Sequence, residues 1–154
     1  MSQPPFDLGQ RVRTMQILWA GIVIGAVVFA IVVVAVGSLN QPAQGNTLAL
    51  VGVVLTAMDF VAFLVMPGIM AKNAAAQLQG MPEEERWCGI YQTKLIIGLA
   101  LLEGVVFLNL IACMQEHNWW SLAVAGGLVL IMAVQFPTRT RLEQWIETQR
   151  MNNP

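Results

Sequence analysis

The sequence predicts an all-α fold: a polytopic membrane protein with four transmembrane helices in a bundle. Three observations carry this. Of 154 residues, 56% are hydrophobic and 11% are charged, with a mean hydropathy of +0.63; a water-soluble domain carries about a quarter of its residues as charges. Too few charges remain to coat an aqueous surface. The apolar residues fall into four stretches, 17–36, 48–70, 95–114 and 119–136, each near the roughly 17–25 helical residues that cross hydrocarbon. Every Lys and Arg lies between or beyond these stretches, on one side of a four-span arrangement. Helix rather than strand follows because backbone polar groups inside lipid must be satisfied within the segment.

Span one, Ile17 to Val36, is uncharged and is interrupted only by Trp19, Gly21 and Gly25. It follows Arg11 and Arg13 but exceeds the 7–15 apolar residues of a cleaved leader, so it reads as a retained signal anchor. Span two, Leu48 to Met70, carries Asp59, has Pro67 near its end and runs into a polar helical stretch that Gly80 terminates as a C-cap. Pro82 with Glu83, Glu84 and Glu85 has the character of a first helical turn, where a proline is tolerated and carboxylates favour the positive dipole end. Span three, Leu95 to Met114, carries Glu103 and Asn109, and span four, Trp119 to Phe136, opens on two tryptophans suited to an interface. Beyond Pro137, Thr140 and Glu143 have capping-box spacing. Leu142, Trp145 and Ile146 then form an apolar stripe suited to the bundle's own base, to headgroups or to a partner helix.

Charge placement sets the expected topology. Loops 37–47 and 115–118 hold no Lys or Arg, whereas tails 1–16 and 137–154 and loop 71–94 hold all eight. The positive-inside rule therefore places both termini in the cytoplasm, with residues 1–154 as a single membrane domain. The halves resemble one another: Ala26-Val27-Val28-Phe29 matches Gly104-Val105-Val106-Phe107, and Met66-Pro67 matches Phe136-Pro137. A duplicated helical hairpin is one origin of that likeness. The pairs Gly21/Gly25, Ala100/Gly104 and Ala123/Gly127 place small residues one turn apart, which permits close helix packing.

Asp59 and Glu103 are the only ionisable residues within the spans. Each lies roughly 13–18 Å from the end of its span, near mid-depth. Spans two and three are consecutive and antiparallel, so the two acids are candidates to face each other. With no cation beside them, the uncharged acid is the expected form, with sharing of one proton as a further option. Thr56, three residues before Asp59, and Asn109 are the candidates to extend a polar track for a proton or cation, together with Gln92 near the direction of Glu103. Asn109 lies about 120° around the helix from Glu103, which interrupts a single path. The alternative role for all of these groups is hydrogen bonding between helices as packing glue.

The stretch Gly98-Leu99-Ala100-Leu101-Leu102-Glu103-Gly104, followed by Phe107, resembles the ion-carrying helix of rotary ATPase proteolipid (c-type) subunits. That resemblance implies a mid-membrane ion-binding carboxylate at Glu103, standing here in the third helix rather than the fourth. A broader track, Tyr91-Gln92-Thr93-Lys94, Ala100 to Gly104 and Phe136-Pro137-Thr138-Arg139, is similar to small four-helix membrane proteins of planctomycete-type bacteria, a group with no assigned activity. That likeness implies a bacterial origin, and with it a bacterial inner membrane as the expected location.

Other function classes find little support in the residues. Eight Lys+Arg against nine Asp+Glu leave no basic excess for nucleic acid. His117 is the single histidine, with no second ligand at zinc spacing. Cys88 and Cys113 are about 37 Å apart along a helix, too far for a disulfide. No phosphate loop or nucleophile–base arrangement stands out. The expectation is a non-enzymatic accessory or assembly component without a cofactor or metal, partnered by the bilayer and by a second copy or a membrane complex. The alternative is a proton- or cation-translocating protein using Glu103 and Asp59, with Asn109 and Thr56.

Overall fold

The computed structural model describes residues 7–36, 42–77 and 80–152, and among them the chain is all-helical. Five helices follow in order: α1 (Leu8–Ala35), α2 (Thr47–Gln77), α3 (Glu83–Glu116), α4 (Trp119–Val134) and α5 (Arg139–Asn152). Parts of the tails and of the 37–47 loop, and Leu78 and Gln79, lie outside the described residues.

Each helix outgrows its apolar stretch where local chemistry allows. Helix α1 starts at Leu8, well before residue 17, because the Asp7 carboxylate accepts from Gly9 N at 2.8 Å and Gln10 N at 3.4 Å. These are donors that a first turn otherwise leaves unpaired. Helix α2 continues through Pro67 to Gln77, and Gly80 adopts φ +97° beyond it. Pro82 stands as the N-cap of α3, so the three glutamates Glu83–Glu85 occupy the first turn at the positive dipole end.

Helix α3 is the hub. Leu99, Leu102, Val106, Leu110 and Cys113 are buried along it, packed with Met15, Ala26 and Val33 of α1 and with Ala125, Leu128 and Met132 of α4. Helix α2 lies along α3, while α1 and α2 scarcely touch. The two hairpins are therefore packed differently, α3 lying against α4 while α1 scarcely meets α2. The matched residues Phe29 and Phe107 do meet, edge to face at 5.2 Å, because α1 and α3 run side by side in the same direction.

The fourth span differs most from expectation. Helix α4 stops at Val134 after 16 residues, about 24 Å of rise against roughly 30 Å of hydrocarbon. Among the described residues, three helices are long and apolar enough to cross a membrane, and a fourth crossing requires α4 and α5 to count as one span bent by 74°. Pro137 sits in the bend, where it is buried. The carbonyls at this end of α4 find donors elsewhere: Trp19 Nε1 donates to Met132 O at 2.9 Å, Arg141 Nη1 to Val134 O at 2.6 Å, and Gln16 Nε2 to Pro137 O at 3.1 Å.

Helix α5 folds back onto the base of α3. Leu142 and Ile146 enter the core, and the Trp145 ring meets Trp87 at 6.0 Å and Tyr91 at 5.4 Å. Its cap is Thr138, whose Oγ1 accepts from Arg141 N at 3.3 Å, rather than Thr140. Glu143 pairs instead with Arg139 at 2.7 Å, and that hydrogen bond and charge raise the guanidinium pKa above its ordinary value. Ion pairs Arg11–Glu85 at 3.0 Å and Arg150–Glu83 at 2.9 Å tie α1 and α5 to the start of α3, making this the charged end of the molecule.

Candidate functional site

The polar residues of the apolar helices gather along the seam between α2 and α3. Gly98, Val105, Asn109, Ala112 and Glu116 share one face of α3, and Ala49, Gly52, Thr56, Asp59 and Phe63 share one face of α2, both following helical spacing. Three levels of contact join the faces.

At the end opposite the charged one, the Glu116 carboxylate caps α2 from another helix. Its Oε1 accepts from Leu48 N at 2.6 Å and its Oε2 from Ala49 N at 2.9 Å, while its main-chain oxygen accepts from Gln44 N at 3.0 Å. These amides belong to the first turn of α2, where a carboxylate satisfies orphan donors and meets the positive end of the dipole. Beside it, Asn118 Nδ2 donates to Asn46 Oδ1 at 2.7 Å, and Asn118 Oδ1 accepts from Trp120 N at 3.0 Å to start α4. His117 makes the turn between α3 and α4 in the left-handed region, at φ 53°. The segment 115–118, expected to be a loop, is thus a helix end and two caps.

Midway along, Asn109 is fully buried. Its Nδ2 donates to Thr56 Oγ1 and to Val105 O, each at 2.9 Å, and Thr56 Oγ1 donates to Gly52 O at 2.7 Å. A Cβ on Gly52 would lie 2.9 Å from Asn109 Oδ1, closer than real contacts permit, so glycine is what lets the helices meet here. Asn109 Oδ1 has no hydrogen-bond partner. Towards the charged end, Phe63 lies against Gly98, where a Cβ would stand 3.0 Å from the ring.

Asp59 sits between these two levels, half-buried, and its Oδ2 is buried without a hydrogen-bond partner. The contacts on either side of it place it at the depth of Glu103. Glu103 nevertheless points elsewhere: its Oε1 is the nearest atom, at 3.8 Å, to a Cβ built on Gly25 of α1. Glu103 is about 120° around α3 from the Asn109 face, and α3 stands between α1 and α2. The structure answers what the sequence leaves open for this pair: Asp59 and Glu103 share a depth but not a face. The structure brings Asn109 and Thr56 together on the side of Asp59 and leaves Glu103 apart.

Glu116, Asn118, Asn46 and Gly52 were not legible as site residues. Asn46-Thr47 before an apolar run does have the pattern of a helix start, but nothing local shows that the capping oxygen comes from a residue far along the chain. Among the described residues, no group of three or more His, Cys, Asp and Glu side chains is arranged to hold a metal ion. Cys88 and Cys113 are both free and buried. No family model, curated protein or solved structure matches this chain.

The seam can clamp α2 to α3 through donors and acceptors that lipid cannot replace. It also holds two oxygens, Asn109 Oδ1 and Asp59 Oδ2, that can accept a further donor.

Proposed function

We propose that this chain is a non-enzymatic integral protein of a bacterial inner membrane, with both termini cytoplasmic, acting as an accessory or assembly component. Three long apolar helices, the gathering of ion pairs at one end and the stacked, exposed Trp119 and Trp120 at the other support the membrane placement. The observation that carries the role is the use made of Asn109: a fully buried amide of α3 donates across to Thr56 of α2, joining the two helices, and back to Val105 O within α3. Most of α2 away from this seam, including Val54, Met58, Val61 and Leu64, is exposed apolar surface available to a membrane partner. Photocrosslinking from Val61 and Leu64 in native membranes tests this. A discrete protein adduct is expected, and lipid adducts alone would overturn the assembly role.

A second reading, proton or cation translocation, is favoured by the unpartnered oxygens of Asp59, near mid-depth, and of Asn109, further along the same seam. Its support is reduced by the separation of Glu103 onto the α1 side. Proteoliposomes loaded with a pH-sensitive dye distinguish the readings. The accessory role expects the flux of empty vesicles, whereas flux abolished by Asp59→Asn would establish translocation.

A further inference from the structure

Four cations at the charged end are already answered. Arg11 pairs with Glu85, Arg139 with Glu143, and Arg150 with Glu83 and Glu84, while Arg86 lies over the Trp87 ring at 5.2 Å. Lys94 and Arg141 have no carboxylate within ion-pair distance among the described residues. Both line one cavity of about 200 Å³, walled also by Tyr91, Gln135, Phe63 and Pro67. The bend between α4 and α5 brings Arg141 over this space, and no acidic side chain among the described residues lines it.

The chemistry of the walls is that of an anion site with an apolar flank. Arg141 is held by its Nη1 donating to Val134 O at 2.6 Å. Its remaining N–H groups form the planar fork that suits phosphate oxygens. Lys94 contributes a second positive charge, the Tyr91 hydroxyl is a further donor, and the Gln135 amide keeps one N–H beside the one it donates to Ile131 O at 3.4 Å. Phe63 and Pro67 share their side of α2 with exposed Met66 and Met70, a surface fit for acyl chains. Lys94 immediately precedes the apolar stretch that begins at Leu95, so the cavity stands at the depth of the cytoplasmic headgroups. Basic pockets between helices on that side are where anionic headgroups bind.

We propose that the cavity between α2, α3 and the α4–α5 bend binds the phosphate of an anionic lipid headgroup, with Lys94 and Arg141 as its charge partners. This rests on the membrane placement above. Resistance of the protein to carbonate extraction tests that placement separately, so the two can fail independently.

The full chain is purified and placed in nanodiscs of phosphatidylcholine containing one-tenth phosphatidylglycerol, and retained lipid is counted by native mass spectrometry. One phosphatidylglycerol per chain is expected to persist. Lys94→Ala and Arg141→Ala should each lower its occupancy about fivefold, and Arg13→Ala, an exposed cation outside the cavity, should not. Lys94→Glu leaves the Arg141–Val134 hydrogen bond intact and should abolish retention in a folded protein, should Arg141→Ala disturb the bend. Equal retention by Lys94→Glu and the unaltered chain, or no preference over phosphatidylcholine, would overturn the proposal. Inorganic phosphate supplied to the detergent-solubilised protein should leave its melting temperature unchanged. A shift as large as that given by phosphatidylglycerol would overturn the lipid assignment in favour of a free phosphate.

Discussion

Replacing Glu116 by alanine removes the acceptor for two amides of α2 at once, those of Leu48 at 2.6 Å and Ala49 at 2.9 Å. Hydrogen bonds to an ionised group contribute about 1.5–3 kcal/mol each, and loss of a helix N-cap costs about 0.5–2 kcal/mol. The two amides do not weigh equally. Leu48 is exposed, so water replaces part of what it loses, whereas Ala49 is buried and water is excluded. The neighbouring bonds Gln44 N to Glu116 O and Leu50 N to Asn46 O involve only main-chain atoms and persist. Together these set the cost of Glu116→Ala at about 2–3 kcal/mol. Glu116→Gln keeps one oxygen acceptor and should cost about half as much. Denaturant titration in detergent micelles measures the total, and amide hydrogen exchange locates it. Exchange should quicken at Leu48 and Ala49 and stay unchanged along α4. A Glu116→Ala protein as stable as the parent, with Leu48 and Ala49 still protected, would refute the reasoning.

Further outcomes follow from the same geometry. A double-mutant cycle of Asn109→Ala with Thr56→Val should give a coupling energy of about 0.6–1.7 kcal/mol, measured by the same titration. Gly52→Val should destabilise by about 1–3 kcal/mol, because its side chain must displace Asn109, and the loss should shrink when Asn109 is already alanine. Cys88 and Cys113, both buried, should resist maleimide in the folded protein and react once it is unfolded in SDS. Rapid labelling of the folded form would contradict the placement of α3 at the centre. Arg150→Ala should change stability by less than about 1 kcal/mol, since its partners Glu83 and Glu84 are exposed and solvent screens the pairs.

The helices were legible because their cause is local. Length and hydropathy mark α1, α2 and α3, and Gly80, Pro82 and the glutamates after it punctuate the chain as expected. Helix ends were less legible. Asp7 extends α1 with a cap that hydropathy does not register, and two prolines that look alike act differently. Pro67 rides within α2, whereas Pro137 ends the helical run, its surroundings supplied with donors by Trp19, Gln16 and Arg141. Sequence reading singled out Asn109 and Thr56 as polar groups in apolar helices but not that they bond to each other. The sequence gives Asp59 and Glu103 the same depth and leaves open which side of its helix each acid faces. That choice depends on which side of α3 each neighbour occupies, and this is settled by packing over the whole bundle. Glu116 was hidden for a related reason: its partners are the backbone amides of a distant helix start, which no side-chain pattern announces.

The central claim is that α3 separates its own acid from that of α2, so that buried polar groups join helices rather than line a shared path. Thiol crosslinking tests it most directly, in a background carrying Cys88→Ala and Cys113→Ala. With a short bifunctional reagent, the pair Gly25→Cys and Glu103→Cys should crosslink efficiently in membranes, and the pair Asp59→Cys and Glu103→Cys should not. Efficient crosslinking of the second pair, with none in the first, would contradict the account.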